Sequence, residues 1–379
     1  MKSNVDEHTS QASHWPLTIT GGAVSLLNMF LPLVLVRVLD RSAMGVYKAY
    51  FLYMALIPWI FLTAGIGNGL SHWAGYDDKR RQEATRASWT ALLVLAGIYL
   101  VVALSLQQQM ADFLGWSLLQ FQLLLAGALM LILGGFFEEA AVAWGAVRRG
   151  AWFSSGFDLV RTISMAFAAW HFRSIEAVFV AHIAILSIKI SVGVVWGHRL
   201  GFQRILFRKS VLLPVLKYAM PVSLAAAVSV ATGYSDQILL SRWMGPGDFA
   251  LYSFGCLLVP PLMIFEQSVN KVLIPELSRA FVDGHINEAR NKYKKATSEL
   301  AWLHIPAAVG LALFADPVVE LLYTNQYEGS AVFLRLYAFN YFFNHLPMTL
   351  LIGLGVGGAP FWPDSRFSPS LPRSSFMSC

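Results

Sequence analysis

Apolar residues run along this chain in long stretches, separated by short polar segments. A helix needs about 20 apolar residues to cross hydrocarbon. Ten stretches meet or approach that length: 16–36, 44–70, 88–106, 118–146, 152–172, 176–197, 212–241, 249–270, 298–318 and 332–354. Water is absent from the bilayer core, so backbone N–H and C=O groups there must be satisfied within the segment. Each stretch therefore predicts a helix. The pattern predicts an all-α, polytopic integral membrane protein with about ten transmembrane helices. Segment 271–297 mixes charged and apolar residues and predicts a short amphipathic helix on the membrane surface. The first apolar run is too long for a signal-peptide core and lacks a clear cleavage site, so it is read as a retained helix.

Charge supports the same picture. Of 379 residues, 56% are hydrophobic and only 13% are charged. A soluble domain carries about 25% charged residues. The net charge of +6 comes from 28 basic residues. With the N-terminus placed in the cytoplasm, 19 of them fall on the cytoplasmic side and 6 outside. Arg161, Lys189 and Lys217 lie within or at the edge of helices. Only the first outer loop, with Arg37, Arg41 and Lys48, runs against the positive-inside bias. The basic character is thus topological and offers nucleic acid no contiguous patch. Location in the cell (inner or plasma) membrane follows as an expectation. Cys256 and Cys379 form no disulfide framework and no metal-spaced pair.

Two stretches resemble each other. In RVLDRSAMGVYKAYF (37–51) and RWMGPGDFALYSFGC (242–256), Arg37 aligns with Arg242, Gly45 with Ala250 and Tyr47 with Tyr252. Each joins one predicted helix to the next, at an offset of 205 residues. That offset spans six helices, so the copies share one orientation and form parallel repeats. Two such halves around a central site make a transporter plan. The expected division is an N-terminal lobe of helices one to six over 1–200, a C-terminal lobe of helices seven to ten over 201–354, and a polar tail over 355–379. Partners for helices five and six, at 152–197, would fall near 357–402, so the second six-helix lobe is expected to be incomplete. A premature stop, a frameshift or a natural short form would account for it.

The same stretches are similar to the polysaccharide-type flippases, which export O-antigen and exopolysaccharide repeat units. These belong to the multidrug/oligosaccharidyl-lipid/polysaccharide exporter superfamily. The resemblance rests on Asp236, Leu239, Leu240, Arg242, Gly245, Ala250, Leu251 and Tyr252, then Leu273, Pro275, Leu277, Ser278 and Arg279. It covers residues 16–354. It implies alternating access between two lobes and a prenyl-diphosphate-linked glycan as cargo. It further implies a coupling proton or sodium ion. Family members usually have twelve to fourteen helices, a pattern this chain departs from at its C-terminus.

Charges inside the helices are the candidate machinery, because a charge at mid-membrane costs about 2.5–3.5 kcal/mol on insertion scales. At about 1.5 Å of rise per residue, Glu138, Glu139, Asp158, Arg161 and Lys189 all sit roughly 10–14 Å above the inner boundary. They lie on three successive helices. One reading is a cavity in which a carboxylate titrates during transport, since passing between dry and wet surroundings changes its hold on a proton. The other is a static ion-pair network. Asp236 would face a central cavity, binding a cation or sugar hydroxyls, or else would pair with a neighbouring base. Arg37 and Arg242 would contact phosphate, which guanidinium binds bidentately, or would join helices at the interface. His182 and His304 are expected to be satisfied by neighbouring backbone or hydroxyl groups. Trp15, Trp116 and Trp243 are expected to be interfacial belt residues.

The chain has no G-x-x-x-x-G-K-[ST], so no nucleotide site is expected. It also lacks H-E-x-x-H, C-x-x-C and a recognisable Ser/His/Asp set, and no metal or cofactor is expected. The reading is a secondary transporter flipping a lipid-linked oligosaccharide, and not an enzyme. The alternatives are a drug/cation antiporter of the same superfamily, a membrane glycan polymerase or ligase, and an inactive remnant. Short outer loops argue against the polymerase or ligase.

Overall fold

The computed structural model describes residues 27–28, 30–70, 78–199, 205–257, 259–282 and 285–343. Among them the secondary structure is helical, with turns between. The helices are α1 (Arg41–Ile60), α2 (Thr63–Gly69), α3 (Asp78–Leu114), α4 (Leu118–Ala143), α5 (Val147–Phe172), α6 (Ile175–Arg199), α7 (Lys209–Gly233), α8 (Ser235–Trp243), α9 (Pro246–Gly255), α10 (Pro260–Val282), α11 (Ile286–Leu313), α12 (Ala315–Leu322) and α13 (Ser330–Phe343). A shorter helical stretch covers 30–35. Among the described residues, six helices (α1, α3, α4, α6, α7 and α11) are long and apolar enough to cross a membrane. Most of run 16–36, the end of run 332–354, the tail 355–379 and Trp15 lie outside the described residues.

Several predicted runs are interrupted. Run 44–70 is α1 and α2, divided at Phe61 and at Leu62, whose φ of 60° is left-handed. Run 212–241 divides at Tyr234 into α7 and α8, and run 249–270 divides between Gly255 and Pro260 into α9 and α10. Run 298–318 divides at Phe314. Broken helices are tolerated at membrane depth only where other groups satisfy the freed backbone. Hydroxyls do so at two of these breaks. Ser223 on α7 accepts from the Gly65 N–H at 3.0 Å and donates to the Leu62 carbonyl at 3.1 Å. Tyr341 on α13 accepts from the Val259 N–H and donates to the Leu257 carbonyl, both at 2.7 Å.

Segment 271–297 is not a surface helix. It is the adjoining ends of α10 and α11, which bury Leu273, Leu277 and Ala280 against Ala289, Tyr293 and Ala296. The apolar positions that suggested an interfacial face instead pack helix on helix. At 37 residues, α3 exceeds the hydrocarbon core. Lys79, Arg80, Arg81 and Arg86 therefore sit on its first turns rather than in a loop.

The described chain forms two compact units. The first holds residues up to Phe254 with Glu320–Glu328, and the second Gly255–Val319 with the residues from Gly329 onward. In the first, α5 packs along α6 and α4, and α7 packs against α1, α2 and α3. In the second, α11 packs against α10 and α13. Leu262, Ala308 and Tyr341 are buried together there.

The two similar stretches each hold a helix start inside the first unit. Helix α1 begins at Arg41 and α9 at Pro246, the same offset of 205 residues. The two starts also touch. A Cβ on Gly45 would collide with the Pro246 carbonyl, so only glycine allows this approach. Arg41 reaches Asp248 at 3.8 Å, and the Lys48 ammonium lies 4.3 Å from the centre of the Phe254 ring.

Candidate functional site

Two neighbouring cavities in the first unit are lined by three of the candidate charges, Glu138, Glu139 and Arg161. The first, about 260 Å³, lies where α1 and α2 meet α3 and α4 and is lined by Thr63, Gly67, Glu138 and Glu139 among others. The second, about 380 Å³, is lined by Asn28, Tyr47, Arg161 and His182 among others. Met54, Ala55 and Leu131 line both.

Most of these charges are neutralised locally. Lys189, 7% exposed, pairs with Glu138. Arg161 pairs with Asp158 one turn earlier at 3.1 Å and donates to Asn28 Oδ1 at 3.3 Å. Thr162 donates to the same oxygen at 3.1 Å. Glu139 differs. It is half-buried, has no hydrogen bond or ion pair among the described residues, and lies beside the α1/α2 break, where a Cβ on Gly67 would sit 3.2 Å from its Cγ. Adjacent positions differ by about 100° around a helix, which explains the split: both glutamates line the cavity, but only Glu138 reaches Lys189 on α6. Thr63 closes the same break by donating to the Pro58 carbonyl at 2.8 Å.

The expectation that a neighbouring backbone or hydroxyl group satisfies His182 is not met among the described residues. This histidine is 1% exposed and lines the second cavity, yet neither ring nitrogen has a partner among the described residues. Its ring meets Tyr50 and Phe51 edge-on. His304, by contrast, is satisfied by the Leu300 carbonyl at 3.0 Å.

The remaining candidates separate as well. Asp236 accepts from the phenol of Tyr252, a repeat-motif residue, rather than from a base. Arg37 donates to the Leu33 carbonyl and, at 3.3 Å, to the Leu322 carbonyl, so it ties helix ends together. Arg242 lies at one end of a larger apolar cleft of about 740 Å³ formed by α1, α3, α4, α7 and α8. Its guanidinium carbon lies 4.9 Å from the centre of the Phe113 ring. Trp243 beside it is 74% exposed, as a belt residue would be, whereas Trp116 is buried edge-on to Tyr53. Among the described residues no cluster of His, Cys, Asp and Glu could hold a metal.

Comparison with known proteins follows the same lines. The family described as "Polysaccharide biosynthesis protein" matches residues 34–332. A "Probable lipid II flippase MurJ" of Rhizobium meliloti (strain 1021) is 28% identical over 138 residues, 35% of this chain and 26% of that protein. The aligned part thus spans about a quarter of that relative. Among solved structures, an inward-facing multidrug resistance MATE family transporter of the MOP superfamily superposes with a TM-score of 0.67 at 15% identity. That likeness covers 87% of this chain and 81% of the other. The inward closed conformation of the lipid II flippase MurJ gives 0.63 at 14% identity, over 88% and 76%. At such identities the likeness is one of fold. The match over most of its length makes this chain a member of the polysaccharide biosynthesis protein family, a multi-pass membrane protein with the fold of flippase-like transporters of the MOP superfamily.

Proposed function

We propose that this chain flips a prenyl-diphosphate-linked oligosaccharide, a polysaccharide or O-antigen repeat unit, from the cytoplasmic to the outer leaflet of the cell membrane. The relative named as a lipid II flippase supports a lipid-linked cargo. The work is alternating access between two repeat-related lobes, divided near residue 200, with the N-terminus in the cytoplasm. An ion gradient supplies the energy, in keeping with the missing nucleotide motif.

The observation that carries the coupling is Glu139. Its neighbours are paired, while it lines a cavity beside a helix break with no ion-pair partner among the described residues. A carboxylate so placed takes up a proton, or shares a sodium ion with the break's backbone, in one state and releases it in the other. Binding energy can shift a conformational equilibrium only where it differs between states. In this reading the α1/α2 break, which Glu139 adjoins, changes between the states and so supplies the difference.

The test is the leaflet distribution of lipid-linked repeat units in cells lacking the gene, with the chain or its Glu139→Gln form restored. Units held on the cytoplasmic leaflet, cleared by the chain and not by the variant at equal protein level, are the expected result. Units gathered on the outer leaflet would point to a polymerase or ligase. No change in either leaflet would leave a drug/cation antiporter or an inactive chain.

A further inference from the structure

The apolar cleft is separate from the two polar cavities and has one polar end. Its wall along α3 runs from Tyr99 to Leu114, about 22 Å at the helical rise. The polar tips of its two tyrosines are already engaged. Tyr53 bonds Ser241 at 2.8 Å, and Tyr99 donates to the Leu125 carbonyl at 3.0 Å. They offer the cleft ring faces rather than free hydroxyls. Arg242 and Trp243 remain at one end. The Arg242 guanidinium carbon lies over the Phe113 ring, 4.9 Å from its centre, a cation–π contact that uses none of the guanidinium N–H groups as hydrogen-bond donors to an oxygen. Among the described residues no carboxylate or carbonyl accepts from it. Both residues are donors only. The cleft thus has an apolar body and an end that donates but does not accept, which is complementary to a chain ending in an anion.

We infer that this cleft binds a single long isoprenoid chain bearing a phosphate, with the chain along α3 and α7 and the phosphate oxygens on Arg242. Guanidinium suits phosphate because two parallel N–H groups meet two oxygens. An apolar pocket with one convergent polar group is the usual plan of a ligand site. The equivalent arginine of the other repeat, Arg37, does not line this cleft, and its Nη1 donates to two backbone carbonyls. The site is therefore asymmetric between the repeats. The choice of an isoprenoid rests on the flippase reading; the demand for an anionic end rests on the cleft alone.

The test uses the purified full chain and a photoactivatable long-chain isoprenyl phosphate, with labelled peptides mapped by mass spectrometry. Labelling is expected on the segments carrying Leu106 to Phe113 and Ile238 to Leu239. Arg242→Gln should lower it at least fivefold, and Arg37→Gln should not. Ala231→Phe, which fills the cleft and keeps the arginine, should lower it too, so a fold defect in one variant does not decide the matter. Labelling that is unchanged in both Arg242→Gln and Ala231→Phe, or that excess phosphatidylglycerol displaces as well as unlabelled probe does, overturns the site. Intact labelling in a chain that moves no repeat units refutes the flippase reading alone. Leaflet transfer without labelling refutes this site alone.

Discussion

Ser223 holds Gly65 across the break between α1 and α2, accepting its N–H at 3.0 Å while donating to the Leu62 carbonyl at 3.1 Å. One buried hydroxyl thus satisfies both sides of an interruption. Leu62 there adopts a left-handed φ, which a leucine accepts only when its surroundings impose it. Glycine at 65 is required by contact, because a Cβ would collide with Ser223 Oγ and approach the Ala219 carbonyl at 2.5 Å.

Ser223→Ala leaves a buried donor and acceptor unmatched, at a cost of about 1–3 kcal/mol. Gly65→Ala should destabilise at least as much. The double variant should lose less than the sum, since one of the two clashes has gone with the hydroxyl. Thermal unfolding of the four proteins in one detergent closes the cycle, and strict additivity would refute the coupling. Tyr341→Phe should cost a similar amount at the α9/α10 break.

That relationship also marks how far the sequence could be read. Helix existence followed from apolar run length, and nearly every run is helical where it is described. The breaks were not legible; at two of them the freed backbone groups are met by a hydroxyl from a helix distant in sequence, Ser223 and Gly65 standing 158 residues apart. Helical rise placed Glu138 and Lys189 within reach of each other, and the two do pair. The rotation of the charges was not legible, since the direction of each side chain depends on which neighbour packs beside it. Arg37 and Arg242 look alike in the repeat, and only what lies opposite distinguishes them.

Glu138 and Glu139 should respond in opposite ways. Glu138→Gln leaves Lys189 buried without its partner, and breaking a buried pair costs about 3 kcal/mol. Folded yield should fall. Removing both partners in Glu138→Gln/Lys189→Met should restore much of it, because the double change leaves no uncompensated charge. Glu139→Gln should leave yield and melting temperature within about 0.5 kcal/mol of the parent, the range of changes that break no partnered group. Size-exclusion yield and melting curves separate the two. A large stability loss in Glu139→Gln would mean that it has a structural partner.

The repeat contact gives a third expectation. Gly45→Ala drives a methyl group into the Pro246 carbonyl, with no flexible side chain nearby to give way. The starts of α1 and α9 must then move apart, weakening the Arg41–Asp248 pair. Exposed pairs contribute at most about 1 kcal/mol, so Arg41→Gln should be mild where Gly45→Ala is severe. Cysteines placed at Arg41 and Asp248 would report the separation by crosslinking. Equal crosslinking with and without Gly45→Ala would show that the contact does not constrain the two helices.

His182 and His304 provide the last comparison. Both are 1% exposed and both lie in apolar helices. His304 holds the Leu300 carbonyl, so His304→Phe removes a hydrogen bond and should cost about 1 kcal/mol. His182 has no bond to lose within the described chain, and Tyr50 and Phe51 already give its ring an aromatic setting. Replacing an unmatched buried polar group with an apolar one of similar shape is neutral or stabilising. His182→Phe should therefore hold or raise the melting temperature. It should still impair transport, because it removes polar groups from the wall of the cavity that Arg161 and Asn28 share. A variant that melts lower than His304→Phe would show that His182 is held by a bond. One that transports normally would take the second cavity out of the transport path and leave the coupling to Glu139.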